Sequence, residues 1–229
     1  FCTLFFVLGL MDDLKLNLVP KLRLILMIVF LIILIIFNNF YIKSTGIEFL
    51  NRFLEIDIFA LFFICLCFLF VINGSNLIDG YNGLLSVHAL IILINLFFVN
   101  YFGGNNDLAL LIFSIILIVV VFLKYNFPKA QLFLGDSGSY LLGSIIAISA
   151  IKTSIANPLI SPFYFCILLF YLFFEVFFSF FRKLIKERAS PIRPDKKHLH
   201  MLLYKVLLKK NYSKFKSNYF VSIIINMIY

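Results

Sequence analysis

Tryptophan is absent from this 229-residue sequence, and charge is scarce: Asp, Glu, Lys and Arg together make up 14% of it, against roughly 25% in soluble domains. So little charge, set beside 63% hydrophobic residues, excludes a water-soluble globule. Proline (6) and glycine (10) are too few and too scattered for a linker. With no internal repeat and no low-complexity stretch either, residues 1–229 read as one domain. The four cysteines, Cys2, Cys65, Cys67 and Cys166, have no histidine or carboxylate at ligand spacing. Cys65-Leu-Cys67 also has the wrong spacing for a thiol redox pair, so the cysteines read as small buried hydrophobes in helices. Acidic residues number 11 against 20 Lys and Arg, a net charge of +9.

What replaces charge is apolar bulk. Hydrophobic residues make up 63%, Phe alone contributes 31, and the mean hydropathy is +1.06. The expected fold is all-α, a polytopic transmembrane helix bundle with catalytic loops on its cytoplasmic side. Six complete apolar segments are expected at about Leu22–Phe40, Ile58–Ile72, Leu84–Phe102, Leu108–Leu123, Tyr140–Ile151 and Leu159–Phe181. Phe1–Met11 and Tyr219–Tyr229 are each about half the roughly 20 residues of a spanning helix. Both ends therefore read as cut, with at least one helix expected before Phe1. Phe1–Met11 has no basic leader and no cleavage site, so it does not read as a signal peptide.

Alternating the sides places about 12–21, 73–83, 124–136 and 182–216 on one face. With Arg23 at a helix mouth, that face holds 17 of the 20 Lys and Arg residues; only Lys43, Arg52 and Lys152 fall on the other. The positive-inside rule makes the first face cytoplasmic, in the inner membrane. The polar clusters gather there too, which predicts a single site assembled from several loops.

Asp12 and Asp13 close the first apolar run in Gly9-Leu-Met-Asp-Asp-Leu-Lys15. Adjacent carboxylates at a membrane interface need a cation or a basic partner, and magnesium favours carboxylate oxygens together with phosphates and water. In Asn73-Gly-Ser-Asn-Leu-Ile-Asp-Gly-Tyr-Asn-Gly83, Asn76 and Asp79 share a face on a helical turn and can grip one ligand. Phe133-Leu-Gly-Asp-Ser-Gly-Ser139 opens a helix, with Asp136, Ser137 and Ser139 expected to cap it and its start expected to attract phosphate. The stretch 182–216 carries 12 basic residues against Glu187 and Asp195, and includes Ser190-Pro-Ile-Arg-Pro-Asp-Lys-Lys-His-Leu-His200. His198 and His200 point the same way when extended and can meet a diphosphate as donors. Glu175, inside the last complete span, reads equally as a functional carboxylate and as a partner within the bundle. His88 reads as a packing residue.

These four segments, in this order and on this face, resemble the polyprenyl-phosphate N-acetylhexosamine-1-phosphate transferase family, of glycosyltransferase 4 type. The resemblance covers nearly the whole chain. It implies a magnesium-dependent phosphotransferase, manganese being a possible substitute. That enzyme moves HexNAc-1-phosphate from a UDP-N-acetylhexosamine to undecaprenyl phosphate and starts a lipid-linked surface polysaccharide. It implies Asp12 and Asp13 at the catalytic centre, Asp136 as metal ligand, and Asn76, Asp79, Arg182, His198 and His200 as substrate-binding. The implied partners are the donor, the lipid acceptor and the bilayer; no nucleic acid is expected, and a homodimer is compatible. Asn82 stands where many members have a second aspartate, Met201 where a further histidine is usual, and Glu175 where aspartate is common. The Ser190-to-Asp195 lead-in favours the hexosamine branch over the phospho-N-acetylmuramoyl-pentapeptide transferase branch. A membrane transporter is the alternative from another class, and it predicts ionisable groups at mid-span, where Glu175 stands alone.

Overall fold

The computed structural model describes residues 1–16, 18–42, 44–186, 188, 190 and 197–229, and every regular element among them is helical. In chain order these are α1 (Cys2–Asp13), α2 (Pro20–Asn38), α3 (Glu48–Leu54), α4 (Asp57–Ile78), α5 (Leu84–Phe102) and α6 (Asn106–Asn126). Then come α7 (Gly135–Ala156), α8 (Pro162–Leu168), α9 (Phe170–Phe181), a π-helical turn at Arg182–Lys186, α10 (Leu199–Lys209) and α11 (Lys214–Ile228). Helices α2, α4, α5, α6 and α7 are long and apolar enough to cross a membrane. Within hydrocarbon the backbone must satisfy its own polar groups, and a helix does so inside one segment. The all-α membrane bundle expected from the sequence is the observed architecture. Helix α7 lies at its centre, packed on α1, α4 and α5.

Much of the Asn73–Gly83 segment, expected as a connection, is instead helix, because α4 runs on through Asn73–Ile78. Helix α7 opens inside Phe133–Ser139 as expected, at Gly135, and runs on past the expected Ile151 to Ala156. The polar side chains in α4 do not break it, because they fold back on its own carbonyls. Asn73 Nδ2 donates to Leu69 at 2.8 Å and Ser75 Oγ to Val71 at 2.8 Å, the i−4 pattern that hides a polar group against its own helix.

The predicted span Leu159–Phe181 is broken. Helix α8 meets the segment Phe170–Lys186 at a bend of 69°. Both halves are apolar, so hydropathy alone gives no sign of the break. The bend lays α9 along α4, where Phe70 meets the rings of Phe173 and Phe177 at 5.7 and 4.3 Å. Phenylalanines four apart stack along the helix, Phe170 on Phe174 on Phe178 and Phe173 on Phe177 on Phe181. The cysteines also differ from expectation: all four lie in helices, but only Cys65 is buried. Cys2 and Cys67 are half-buried and Cys166 is exposed, on a surface where an apolar side chain faces lipid rather than water.

Close approach of α4 to α9 depends on Gly74. A β-carbon there would stand 2.6 Å from the Leu172 carbonyl oxygen. Gly74→Val is expected to force the helices apart, an overpacking cost of about 1–3 kcal/mol. Thermal unfolding of the detergent-solubilised variant measures it as a lowered midpoint.

Candidate active site

The last turn of α1 supplies two adjacent carboxylates that face different partners. Asp12 pairs with the Arg23 guanidinium in the first turn of α2. That guanidinium lies 3.6 Å from Asp136 Oδ2 on α7 and 5.7 Å from the centre of the Tyr140 ring. Asp13 turns to α7 itself. Its Oδ1 accepts from the Asp136 backbone N–H at 2.9 Å and its Oδ2 from Ser137 N–H at 3.0 Å.

The capping expected of Asp136, Ser137 and Ser139 is therefore not what the structure shows. The residue preceding α7 is Leu134, and no side chain of α7 caps its own start. Asp13 does so from another helix. The anion at this helix start is a carboxylate of the chain itself.

Asn76, near the end of α4, donates from Nδ2 to Asp136 Oδ1 at 2.9 Å and to Ser139 Oγ at 3.0 Å. Asp79 follows as the residue that closes α4. Burial, then the neighbouring charges of Asp136 and Asp13, push its carboxyl up to about 7. Burial is the larger cause, and the two neighbouring carboxylates add to it. The turn after Asp79 is tied down by amides. Asn82 N–H donates to Asn218 at 2.9 Å, its side chain donates to the Pro128 carbonyl at 2.9 Å, and Ser222 Oγ donates to the Asn82 carbonyl at 2.6 Å. An aspartate at 82 could not donate to Pro128, which gives this departure from the family pattern a physical reason.

The histidine pair joins this end of the bundle from the carboxyl-terminal side. His198 precedes α10 and His200 lies in its first turn, with their rings parallel to within 2° and 5.5 Å apart. Both Nδ1 atoms face Glu175 of α9, which is fully buried. His198 Nδ1 is 2.8 Å from Oε2, His200 Nδ1 is 3.6 Å from Oε1, and Leu199 N–H donates to Oε1 at 3.1 Å. Among the described residues His200 Nε2 is buried without a hydrogen-bond partner, on the side of Gly80 and the Tyr81 ring. Arg182, expected to bind substrate, donates to the Lys197 carbonyl at 2.7 Å and stands over the Phe178 ring at 5.3 Å. It thereby holds the residue just before His198. The lead-in 191–196 lies outside the described residues. His88 is buried with Nδ1 3.1 Å from Asn226 Oδ1, a packing position.

The structure thus brings Asp12, Asp13, Asn76, Asp79, Asp136, His198 and His200 to one end of the bundle. Three contributors escaped the sequence reading. Arg23 was legible only as a charge at a helix mouth, and Ser139 only as a cap. Glu175 was an ambiguous carboxylate whose partners lie 23 to 25 residues further on. A lone Arg and a lone Glu inside apolar runs were the available signals, since such groups need partners.

A magnesium ion suits this donor set. Among the described residues no three His, Cys, Asp or Glu side chains are placed to hold a metal by themselves. Magnesium is commonly held by one or two carboxylates, with waters and substrate phosphates completing its shell. Asp136, the partly exposed carboxylate between Asn76 and Arg23, is the oxygen donor so placed.

The model of the family described as glycosyl transferase family 4 matches residues 1–154. The chain belongs to glycosyl transferase family 4. The matched stretch of this family 4 chain contains Asp12, Asp13, Asn76, Asp79 and Asp136, while the histidine pair lies beyond it. An undecaprenyl-phosphate alpha-N-acetylglucosaminyl 1-phosphate transferase of Thermotoga maritima is 34% identical over 152 residues, 64% of this chain and 45% of that protein. The protein of the same name from Escherichia coli O157:H7 is 26% identical over 200 residues, covering 85% of this chain and 54% of its own length. A phospho-N-acetylmuramoyl-pentapeptide-transferase of Streptococcus pyogenes is 34% identical over 116 residues, 49% of this chain and 34% of that protein. The chain spans about half or less of the length of these relatives.

Proposed function

We propose that the protein transfers HexNAc-1-phosphate from a UDP-N-acetylhexosamine to undecaprenyl phosphate, giving undecaprenyl-diphospho-HexNAc and UMP. The observation that carries this reading is the meeting of Asp12, Asp136, Asn76 and the histidine pair at one end of an apolar bundle of family 4. In the reaction an oxygen of the lipid phosphate bonds to the sugar-bearing phosphorus, and the bond from that phosphorus to UMP breaks. The acceptor phosphate is largely ionised at neutral pH, its second pKa being near 6. Neutralising charge and aligning two anions therefore matter more than a strong base.

Asp136, oriented by Asn76, is the residue to hold magnesium, which would offset charge on the approaching phosphates. Arg23 is a second cation at the same place. His200 Nε2, buried and without a hydrogen-bond partner among the described residues, lies near Gly80 and, when the ring is an imidazolium, can donate to a phosphate oxygen arriving there. A direct in-line attack is the simplest route these groups support. The weight of Lys and Arg on this face supports an active site turned to the cytoplasm, and an apolar bundle suits an acceptor whose tail stays in the bilayer.

The streptococcal relative supports a second reading, in which the donor is the UDP-linked N-acetylmuramoyl pentapeptide. Membranes holding the full-length protein, offered radiolabelled UDP-GlcNAc, UDP-GalNAc or the muramoyl-pentapeptide donor with undecaprenyl phosphate and magnesium, separate the two. Label from a hexosamine donor should pass to lipid with release of UMP. Label passing only from the muramoyl donor selects the second reading, and no transfer from any donor removes both.

A further inference from the structure

We infer that Asp13 is a positioning residue: it fixes the start of α7, and with it Asp136, and takes no part in bond making. The inference rests on the proposed transferase reading for its consequence but on geometry for its substance. The first N–H groups of any helix lack partners within it, and Leu134 before α7 has no side-chain acceptor. Asp13 meets this need with both oxygens, one to each of two consecutive amides, at 2.9 and 3.0 Å. A carboxylate also complements the positive end of the helix dipole.

A second observation, independent of those bonds, shows that the two helices are built to meet here. One turn before Asp13, on the same face of α1, stands Gly9. A β-carbon on Gly9 would lie 2.4 Å from both the carbonyl carbon and the oxygen of Asp136. At Gly135, with φ +64°, an added β-carbon would lie 2.8 Å from Asp13 Oδ2. Backbone and carboxylate of α1 thus abut the first turn of α7 over two successive turns. Asp136 leaves that turn with Oδ1 held by Asn76 and Oδ2 facing Arg23. With an amide N–H on each oxygen, Asp13 is a weaker base and nucleophile than a free carboxylate, and its charge is spent on the turn that carries Asp136. Asp12 carries no such bond to α7, so the two neighbouring aspartates have separate duties.

The test compares Asp13→Asn and Asp13→Ala with the wild type in full-length protein in lipid nanodiscs, by amide hydrogen exchange at residues 135–138 and by transferase assay. Asparagine keeps a side-chain acceptor and serves almost as well as aspartate at helix starts, whereas alanine removes it. Exchange at 135–138 should speed by about tenfold in Asp13→Ala and by less in Asp13→Asn. Turnover should persist within about tenfold of wild type in Asp13→Asn, with an unchanged pH profile, and fall well below that in Asp13→Ala. Unchanged exchange in Asp13→Ala overturns the inference, as does an Asp13→Asn protein that keeps its protection yet is as inactive as the alanine variant. A wild-type protein that transfers no sugar phosphate would sink the proposed function, while the exchange measurement would still decide what Asp13 does.

Discussion

Asp136→Asn is expected to lower kcat by about a thousandfold, the several kcal/mol a metal contributes to a charged transition state, and added magnesium or manganese should not restore it. The substitution is close to a pure charge deletion. Asparagine keeps an oxygen to accept from Asn76 Nδ2, and the bonds from Asp13 go to the backbone N–H of residues 136 and 137, which the change leaves in place. What is lost is a negative oxygen 3.6 Å from Arg23, the one placed to take a share of a hydrated cation. Steady-state assay across a metal titration is the measurement. Wild-type turnover in the variant would remove the metal assignment to Asp136 while leaving the rest of the site standing.

Glu175→Ala should be the most damaging single change outside the aspartates. Glu175 is fully buried, and its two oxygens face the Nδ1 atoms of His198 and His200 and the N–H of Leu199. Removing one partner of a buried polar cluster costs about 3–5 kcal/mol, here spent on releasing the start of α10. The carboxylate also directs each Nδ1 inward, which leaves Nε2 as the edge that can face a phosphate. Glu175→Gln separates these effects. Its amide still offers an oxygen to Leu199 N–H, so thermal stability should fall less than in the alanine variant. Because the amide cannot receive both imidazoles, KM for the donor should rise. A Glu175→Ala protein with wild-type melting and wild-type KM would show that the histidine pair is placed by something else.

The bundle was legible because a bilayer imposes one length and one chemistry on whatever crosses it; Leu84–Phe102 is both the predicted and the observed helix. Legibility failed where polar residues sit inside a helix. Asn73, Ser75 and Asn76 look like a loop in sequence, yet they are sheltered by their own carbonyls or by α7. It failed again at Leu169, where a bend between two apolar halves leaves hydropathy unchanged. The polar residues of the site were readable as clusters at the ends of apolar runs, but their pairings were not. Asp13 reaches an amide 123 residues away and Glu175 an imidazole 23 residues away, and no local pattern encodes contacts of that range. Arg182 was legible as a basic residue beside a basic loop, but the bond from its Nη1 to the Lys197 carbonyl was not.

The amide ties on the Asp79–Gly83 turn bear on how the protein is made. Asn218 and Ser222, which hold Asn82, belong to α11 and follow that turn by 136 and 140 residues. Whatever order the earlier segments enter the bilayer in, this corner stays unfastened until α11 has emerged from the ribosome and docked. A chain stalled before α11 emerges would carry the site's carboxylates and both imidazoles of the pair while this corner stayed untied.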